Sequence, residues 1–383
     1  MSVRPRVALT LTQTAHRVPG GTATSLLQLA GALVVAGDVD MVGVVARGDL
    51  RRPSTLRAPD PSRRPAGWPD GLPVATLPLP LPLLYDAWAR GRGPSVAAVA
   101  GGADLVHVTV PLRVGIGDAP MVATVHDLFP LTRPGEFSSR GARLMSSGLE
   151  WVLRCARVLM VPSPTVAAAC VERGIEESRV TVVPWGAGTS LDAPDPADLA
   201  AVRSRHGIVG PYVLFVGTIE PRKNLAGLVA ALARVDRPDL TLVIAGPTGW
   251  GAGLDAAVTG LASPIARLGH VPTADLPALY AGAAVVGYPS FEEGFGLPVL
   301  EAMSVGAPVV TSVGTATEDV AGDAALLVDP HDPAGIADAL VQILDDPALG
   351  ARLGAAGRRR AAEYRWDRAA ELTSQVYQQV LAG

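Results

Sequence analysis

Between Ser290 and Val310 the chain reads SFEEGFGLPVLEAMSVGAPVV, in which Glu293 and Glu301 stand with seven residues between them and Gly294, Phe295 and Gly296 follow the first. The glycines permit close approach of backbone to a bound group. A strand ending at Tyr288 and a helix beginning near Leu297 would turn free N–H groups and a positive dipole end toward that group, which suits a diphosphate. Glu293, in the loop, is placed to accept hydrogen bonds from sugar hydroxyls, and Glu301, farther along the helix, to accept both from a ribose diol. The pair then reaches opposite ends of a sugar nucleotide. The plainer reading makes Glu301 a solvated helix residue and the glycines a turn.

A second segment, VLFVGTIEPRKNLAGLVAAL from Val213 to Leu232, ends a strand at Gly217 and sets Arg222 and Lys223 in the loop before an apolar helix. Adjacent cations there would hold both phosphates and offset charge developing on a leaving diphosphate, unless they are simply solvated loop charges. Composition favours the first reading. Lysine and arginine together number 32, and Lys223 is the sole lysine. The 31 arginines, with abundant Ala, Gly and Pro, carry the imprint of a coding bias that Lys223 escapes.

These residues need elements to position them, and short apolar strands alternate with helical patterns along the whole chain. In the first half the strand-like runs are Val7–Leu11, Asp104–Val108, Pro120–Val125, Arg157–Val161 and Val180–Val183, with Gly20 and Gly21 in a loop ahead of a helix from about Thr24 to Val35. Residues 53–82 hold nine of the 34 prolines and are expected to form a long surface excursion without regular structure. A polar Pro- and Gly-rich stretch, Gly186 to Leu199, marks a domain joint. Strands follow at Tyr212–Val216, Leu240–Ala245, Ile265–Leu268, Ala284–Tyr288, Pro308–Thr311 and Ala325–Val328, and the chain from about Asp332 to Leu381 reads as helix. The fold class is therefore α/β with parallel sheets covered on both faces, and ligands are expected where strand C-termini meet a shared crevice.

At 383 residues the chain is long enough for two or three domains. A net charge of −4 excludes the basic excess of a nucleic-acid binder; residues 1–200 carry +2 and residues 201–383 carry −6, so weak peripheral contact with an anionic membrane is the most the first half supports. Cys155 and Cys170 have neither CxxC spacing nor a matching His cluster and are expected to be buried, reduced thiols rather than a zinc site or disulfide. No apolar run approaches the length of about 18 residues that spans a bilayer, and Arg4, Arg6 and the strand-like VALTL do not resemble a signal peptide; the expected location is cytoplasmic. His16, His107, His206, His270 and His331 form no metal cluster, and the glycines of TGWGAG do not complete a dinucleotide fingerprint.

Taken together, VGTIEPRKN and PSFEEGFGLPVLEAMSVGAPVV resemble the donor-site motifs of the family 4 retaining glycosyltransferases, two-domain enzymes of the GT-B fold. The similarity continues through GDAALLVDPHDP, and TVHDLFPLTRP is similar to the family's bacterial mannosyltransferases; residues 45–100 are the least recognisable. The resemblance implies two facing Rossmann-like domains with a cleft between them. Residues 1–190 would bind the acceptor, 191–363 the nucleotide-sugar donor, and the helix in 364–383 would pack back toward the first domain. Carried over, Arg222 and Lys223 bind the donor diphosphate, Glu301 the ribose, and Glu293 with the backbone of Gly294, Phe295 and Gly296 the donor sugar, with Gly217 and Leu297 bordering the site. Gly20 and Gly21 match the glycine loop that approaches the phosphates and the acceptor. His126 corresponds to a residue touching the donor sugar near the reacting centre, so the expected catalytic set is His126, Arg222, Lys223 and Glu293. Read alone, His126 is a satisfied structural histidine and Asp127 a turn former or N-cap. His270 lies in a loop near the nucleobase in the family, where contact is through backbone.

The resemblance further implies retention of anomeric configuration with no metal and no cofactor, the nucleotide diphosphate sugar serving as co-substrate. No DxD between an apolar strand and a turn contradicts this. Front-face substitution is expected, with domain closure excluding water. HDLFP points to GDP-mannose or a similar hexose donor, and the acceptor would be a carbohydrate, a lipid-linked saccharide or a natural product. Two departures stand out: Thr218 follows the VG pair where many relatives have Arg, and Glu318-Asp319 replaces Pro-Glu before Val-Ala-Gly. The competing readings are a phosphorylase, for which only Lys223 could carry pyridoxal phosphate, a sugar-nucleotide epimerase, and a catalytically silent sugar-nucleotide-binding protein.

Overall fold

Uninterrupted apolar runs build the strands: YVLFV at Tyr212–Val216 and VLMV at Val158–Val161 are buried along their whole length, as in a parallel sheet covered on both faces. The computed structural model describes residues 4–15, 21–47, 67–188, 194–247, 249, 261 and 263–383. The chain divides into two compact units, Met1–Gly186 with Arg365–Gly383, and Ala187–Tyr364.

The first unit holds strands β1 (Arg6–Thr10), β2 (Asp40–Arg47), β3 (Val74–Pro80), β4 (Leu105–Val108), β5 (Met121–Thr124), β6 (Val158–Val161) and β7 (Val180–Val182). Their order is β3-β2-β1-β4-β5-β6-β7, with every neighbouring pair parallel. The second unit holds β8 (Tyr212–Val216), β9 (Thr241–Ala245), β10 (Ile265–Gly269), β11 (Val285–Tyr288), β12 (Val309–Ser312) and β13 (Leu326–Val328), ordered β10-β9-β8-β11-β12-β13 and again parallel. In each sheet the strand order reverses once, at β1/β4 and at β8/β11. In open α/β sheets of this kind, ligands bind beside the carboxyl ends of the strands at such a reversal point.

Three expectations are corrected. Residues 53–82 are not without regular structure, for Val74–Pro80 forms β3 and the helix Leu81–Ala89 follows directly. β3 is an edge strand, where the missing N–H of Pro78 and Pro80 breaks no second ladder. Residues 48–66 lie outside the described residues. The strand Asp40–Arg47, DMVGVVAR, was not anticipated at all; its core is buried between β1 and β3. Cys170 is buried but Cys155 is exposed. It ends the helix Ser139–Cys155, whose buried stripe runs through Gly148, Leu149, Val152 and Leu153 and leaves position 155 on the solvent side.

The last helix, Trp366–Ala382, belongs to the first unit and packs on the helix Gly21–Ala36. Its Tyr377 is fully buried and its hydroxyl lies 2.7 Å from Nδ1 of His107 on β4, whose Nε2 lies 2.7 Å from the Thr124 hydroxyl on β5. Burial pushes the His107 imidazole down to about 3, so it stays neutral with both ring nitrogens engaged. Among the described residues no helix is long and apolar enough to cross a membrane. Tyr377→Phe keeps the ring but leaves Nδ1 of a buried histidine without its partner. It is expected to lower the stability of the first unit by about 1–3 kcal/mol, measurable by urea unfolding; a loss below about 0.5 kcal/mol would show that the helix is held by apolar packing alone.

Candidate functional site

At the point where the second sheet reverses, β8 ends at Val216, just before Gly217, and β11 at Tyr288, and the expected donor-site residues of this unit gather on the loops that follow. Gly217 has φ 145°, and a Cβ there would meet the Lys223 side chain at 3.2–3.5 Å, so the bare glycine is what lets that side chain lie along the strand end. Pro221–Lys223 forms a single 3₁₀ turn, after which Asn224 adopts a left-handed backbone at φ 53°. The Asn224 side chain compensates that conformation. Its Oδ1 accepts from Gly227 N at 3.1 Å, capping the helix Leu225–Val235, and its Nδ2 donates to the carbonyls of Pro289 at 3.0 Å and Pro330 at 2.7 Å. Buried Asn224 therefore fastens the loop after β8 to the loops after β11 and β13. Sequence reading gave Asn224 no role, although an Asn before an apolar helix is an N-cap signal.

The cations this latch positions are paired. Glu293 spans both, with Oε1 at 2.9 Å from Lys223 Nζ and Oε2 at 2.8 Å from Arg222 Nη1. Arg222 Nε is also 3.0 Å from Glu220. Tyr288 donates to Glu293 Oε1 at 2.8 Å and accepts from Lys223 Nζ, and Ser290 donates to the same Oε1 at 3.3 Å. All four charged side chains are at most 16% exposed. Burial alone would raise the Glu293 carboxyl, but the charges of Lys223 and Arg222 and the hydrogen bonds from Lys223 and Tyr288 bring it down to about 2. Burial lowers the Lys223 ammonium against the opposing pull of Glu293, while for Arg222 the carboxylates of Glu293 and Glu220 outweigh burial and keep the guanidinium charged. Tyr288, Ser290 and Glu220 were not anticipated; they become visible only once β8 and β11 are side by side.

Beyond the loop, Gly296 at φ 113° caps the helix Leu297–Ser304. A Cβ there would approach Thr317 to 2.9 Å. The expectation of several free N–H groups at this helix start is reduced by its own geometry: Pro298 has none, and Val299 and Leu300 both donate to the Gly296 carbonyl. Glu301 is one turn into the helix and is not a solvated residue. Tyr280, almost fully buried on the helix Leu276–Ala281, donates to Glu301 Oε2 at 2.8 Å, and burial raises the Glu301 carboxyl to about 7 despite that hydrogen bond. Glu318, one of the departures from the family pattern, accepts from Gly314 N at 2.6 Å and so serves its own turn.

The remaining candidates belong to the first unit. His126 follows β5; its Nε2–H donates to the Thr109 carbonyl at 3.1 Å, its Nδ1 has no hydrogen-bond partner among the described residues, and its ring lies 5.3 Å from that of Trp185. Burial pushes it down to about 4, so the ring is neutral and Nδ1 is an acceptor. Asp127 accepts from Phe129 N at 3.0 Å, the local turn expected of it. Gly21 is the first residue of its helix; Gly20 and His16 lie outside the described residues. His270 is exposed on the loop after β10.

With this geometry in hand, comparison with known proteins identifies relatives. The family described as Glycosyltransferase Family 4 matches residues 19–191, and that described as Glycosyl transferases group 1 matches residues 210–346. The O-antigen chain mannosyltransferase B of Escherichia coli is 33% identical over 267 residues, covering 67% of this chain and 69% of that protein. A D-inositol 3-phosphate glycosyltransferase of Salinispora arenicola is 34% identical over 320 residues, covering 74% of this chain and 70% of that one. Among solved structures, Anabaena HepE in complex with UDP and glucose superposes with a TM-score of 0.73 at 20% identity over 99% of this chain and 100% of its own, a likeness of fold.

The raised Glu301 carboxyl has a consequence for stability. Its ordinary value is 4.5 and its folded value about 7, so the protonated form's contribution is complete below pH 4.5 and is lost as pH rises through 7. Glu301→Gln imitates the neutral acid. It is expected to melt with the wild type near pH 4.5 and roughly 2 °C or more above it at pH 8; equal melting temperatures at both values would mean the carboxylate is not held in a desolvated site.

Proposed function

The chain belongs to the family 4 glycosyltransferases, and from that membership we propose that it moves a mannose-like hexose from a nucleoside diphosphate sugar to an acceptor hydroxyl, with retention at the anomeric carbon and without a metal. The observation that carries the reading is the convergence of Arg222 and Lys223 at the reversal point of the second sheet, with Glu301 on the neighbouring helix. Two cations held in place beforehand and shielded from water are suited to the charge that appears when the diphosphate leaves. The similarity to an O-antigen chain mannosyltransferase, together with HDLFP, supports mannose. The acceptor is a carbohydrate, a lipid-linked saccharide or a natural product.

In the front-face reaction the bond from the anomeric carbon to the phosphate oxygen breaks while the bond to the acceptor oxygen forms on the same face, and the acceptor proton passes to the departing phosphate oxygen. Arg222 and Lys223 offset the negative charge of the leaving group. Glu293 orients the sugar through its hydroxyls and is not a covalent nucleophile; isolation of a glycosyl-Glu293 adduct would overturn this. Neutral His126, its Nε2–H committed to Thr109, serves as a hydrogen-bond acceptor to the sugar rather than as an acid.

A thermal-shift screen with UDP, GDP, ADP and dTDP tests the donor. At a ligand concentration about 100 times its dissociation constant the fold gains about 2.7 kcal/mol, and GDP is expected to give the largest shift. Lys223→Ala should abolish most of it, and an unchanged shift would remove Lys223 from the phosphate site. Lys223→Arg is expected to lower kcat about tenfold or more, because the wider guanidinium must enter a space bounded by Gly217, Tyr288 and Glu293; wild-type turnover in that variant would show that charge alone suffices.

A further inference from the structure

Glu293 presents a conflict within the proposed donor site. The residue expected to receive the sugar hydroxyls already has Oε1 shared among Lys223, Tyr288 and Ser290, and Oε2 on Arg222. A carboxylate oxygen offers about two lone pairs, so Oε1 has nothing left for a sugar. Both cations are paired as well. Arg222 gives Nη1 to Glu293 and Nε to Glu220, and Lys223 gives its ammonium to Glu293 and Tyr288. Two cations and two carboxylates in this pocket sum to zero, and a dianion brought to a neutral, poorly hydrated cluster gains little attraction. Removal of Glu293 from the cations restores a net positive charge where the phosphates arrive.

The loop is built so that the side chain can leave without the backbone. Phe291 N donates to the Arg222 carbonyl at 2.8 Å, and Ser312 donates to the Ser290 carbonyl at 2.6 Å. The main chain on the approach to Glu293 is thus pinned independently of its carboxylate.

We propose that Glu293 is a displaceable internal counter-ion: it neutralises Arg222 and Lys223 until a diphosphate takes them, turns to the sugar when one is attached, and returns to the cations to expel the nucleoside diphosphate after transfer. The proposal rests on the donor-site reading above and deepens it. The sugar decides the balance. With an intact nucleotide sugar the displaced carboxylate is met by hydroxyl donors, whereas with the bare product it has none and competes for the cations at full strength. Glu293 therefore favours donor over product, a discrimination that neither cation provides.

Isothermal titration with GDP and with UDP tests it on the wild type and on Glu293→Gln, an isosteric change that removes the competing charge. The expected result is at least tenfold tighter binding of the nucleoside diphosphate by the variant, with lower kcat and stronger product inhibition. Unchanged or weaker binding overturns the proposal, because Glu293 would then help to hold the cations for the phosphates. Should the variant fail to fold, a crystal structure of the wild type with GDP or UDP decides: Glu293 Oε1 beyond hydrogen-bond distance of Lys223 Nζ supports displacement, and a retained contact near 2.9 Å refutes it. Wild-type protein that binds none of GDP, UDP, ADP and dTDP would refute the donor-site reading itself, whereas nucleotide binding without the gain in Glu293→Gln refutes the counter-ion alone.

Discussion

One asparagine in a left-handed backbone governs where the charges of the second unit fall. Parallel strands deliver β8 and β11 side by side, but the loops that leave them at the reversal point have no ladder of their own. Asn224 replaces it with three hydrogen bonds to three separate segments. Because Arg222 and Lys223 are its immediate neighbours, the direction of both cations follows from that latch and from the bare Gly217 beside it. A side chain bonded to backbone carbonyls is unaffected by screening or titration. The cluster is thereby positioned by groups that do not themselves take part in its electrostatics.

The charges so placed are costly to bury and are kept by mutual neutralisation. Removing one member of a buried ion pair typically costs about 3–5 kcal/mol, because the other charge is left uncompensated. Glu293 therefore belongs to the stability of the second unit as well as to the proposed chemistry. Glu301 has the opposite character. Among the described residues it has a tyrosine but no cation as partner, and its site favours the protonated acid, so a carboxylate there weakens the fold. One loop and the helix after it hold a carboxyl strongly ionised and another near half-titration at neutral pH, and the difference lies wholly in their neighbours.

The sheets were legible from the sequence because buried parallel strands are short, apolar and bounded by Gly or Pro; every strand of the second unit was read within a residue or so of its place. The misreadings have physical causes. Proline density argued against β3, yet an edge strand tolerates proline, and edge position belongs to topology rather than to local sequence. Cys155 was misjudged because its burial depends on which face of its helix meets the sheet. At the site, residue types and spacing pointed to Arg222, Lys223, Glu293 and Glu301, but not to the ion pairs among them. Glu293 is 70 residues from Lys223, and a pair at that separation exists only after β8 and β11 have met. Tyr280 and Tyr288 were silent for the same reason: a tyrosine in an apolar run reads as core until the group its hydroxyl faces is known.

The placement of Trp366–Ala382 in the first unit, after the whole of Ala187–Tyr364 has intervened, bears on how the protein is made. A nascent chain that has just completed the second unit still lacks the helix whose Tyr377 closes over His107. The unit begun first is therefore finished last, and during synthesis the part of its helix Gly21–Ala36 that packs on Trp366–Ala382 stays uncovered until after the second unit has been made. For the same reason a chain ending at Tyr364 would contain a whole second unit and an open first one.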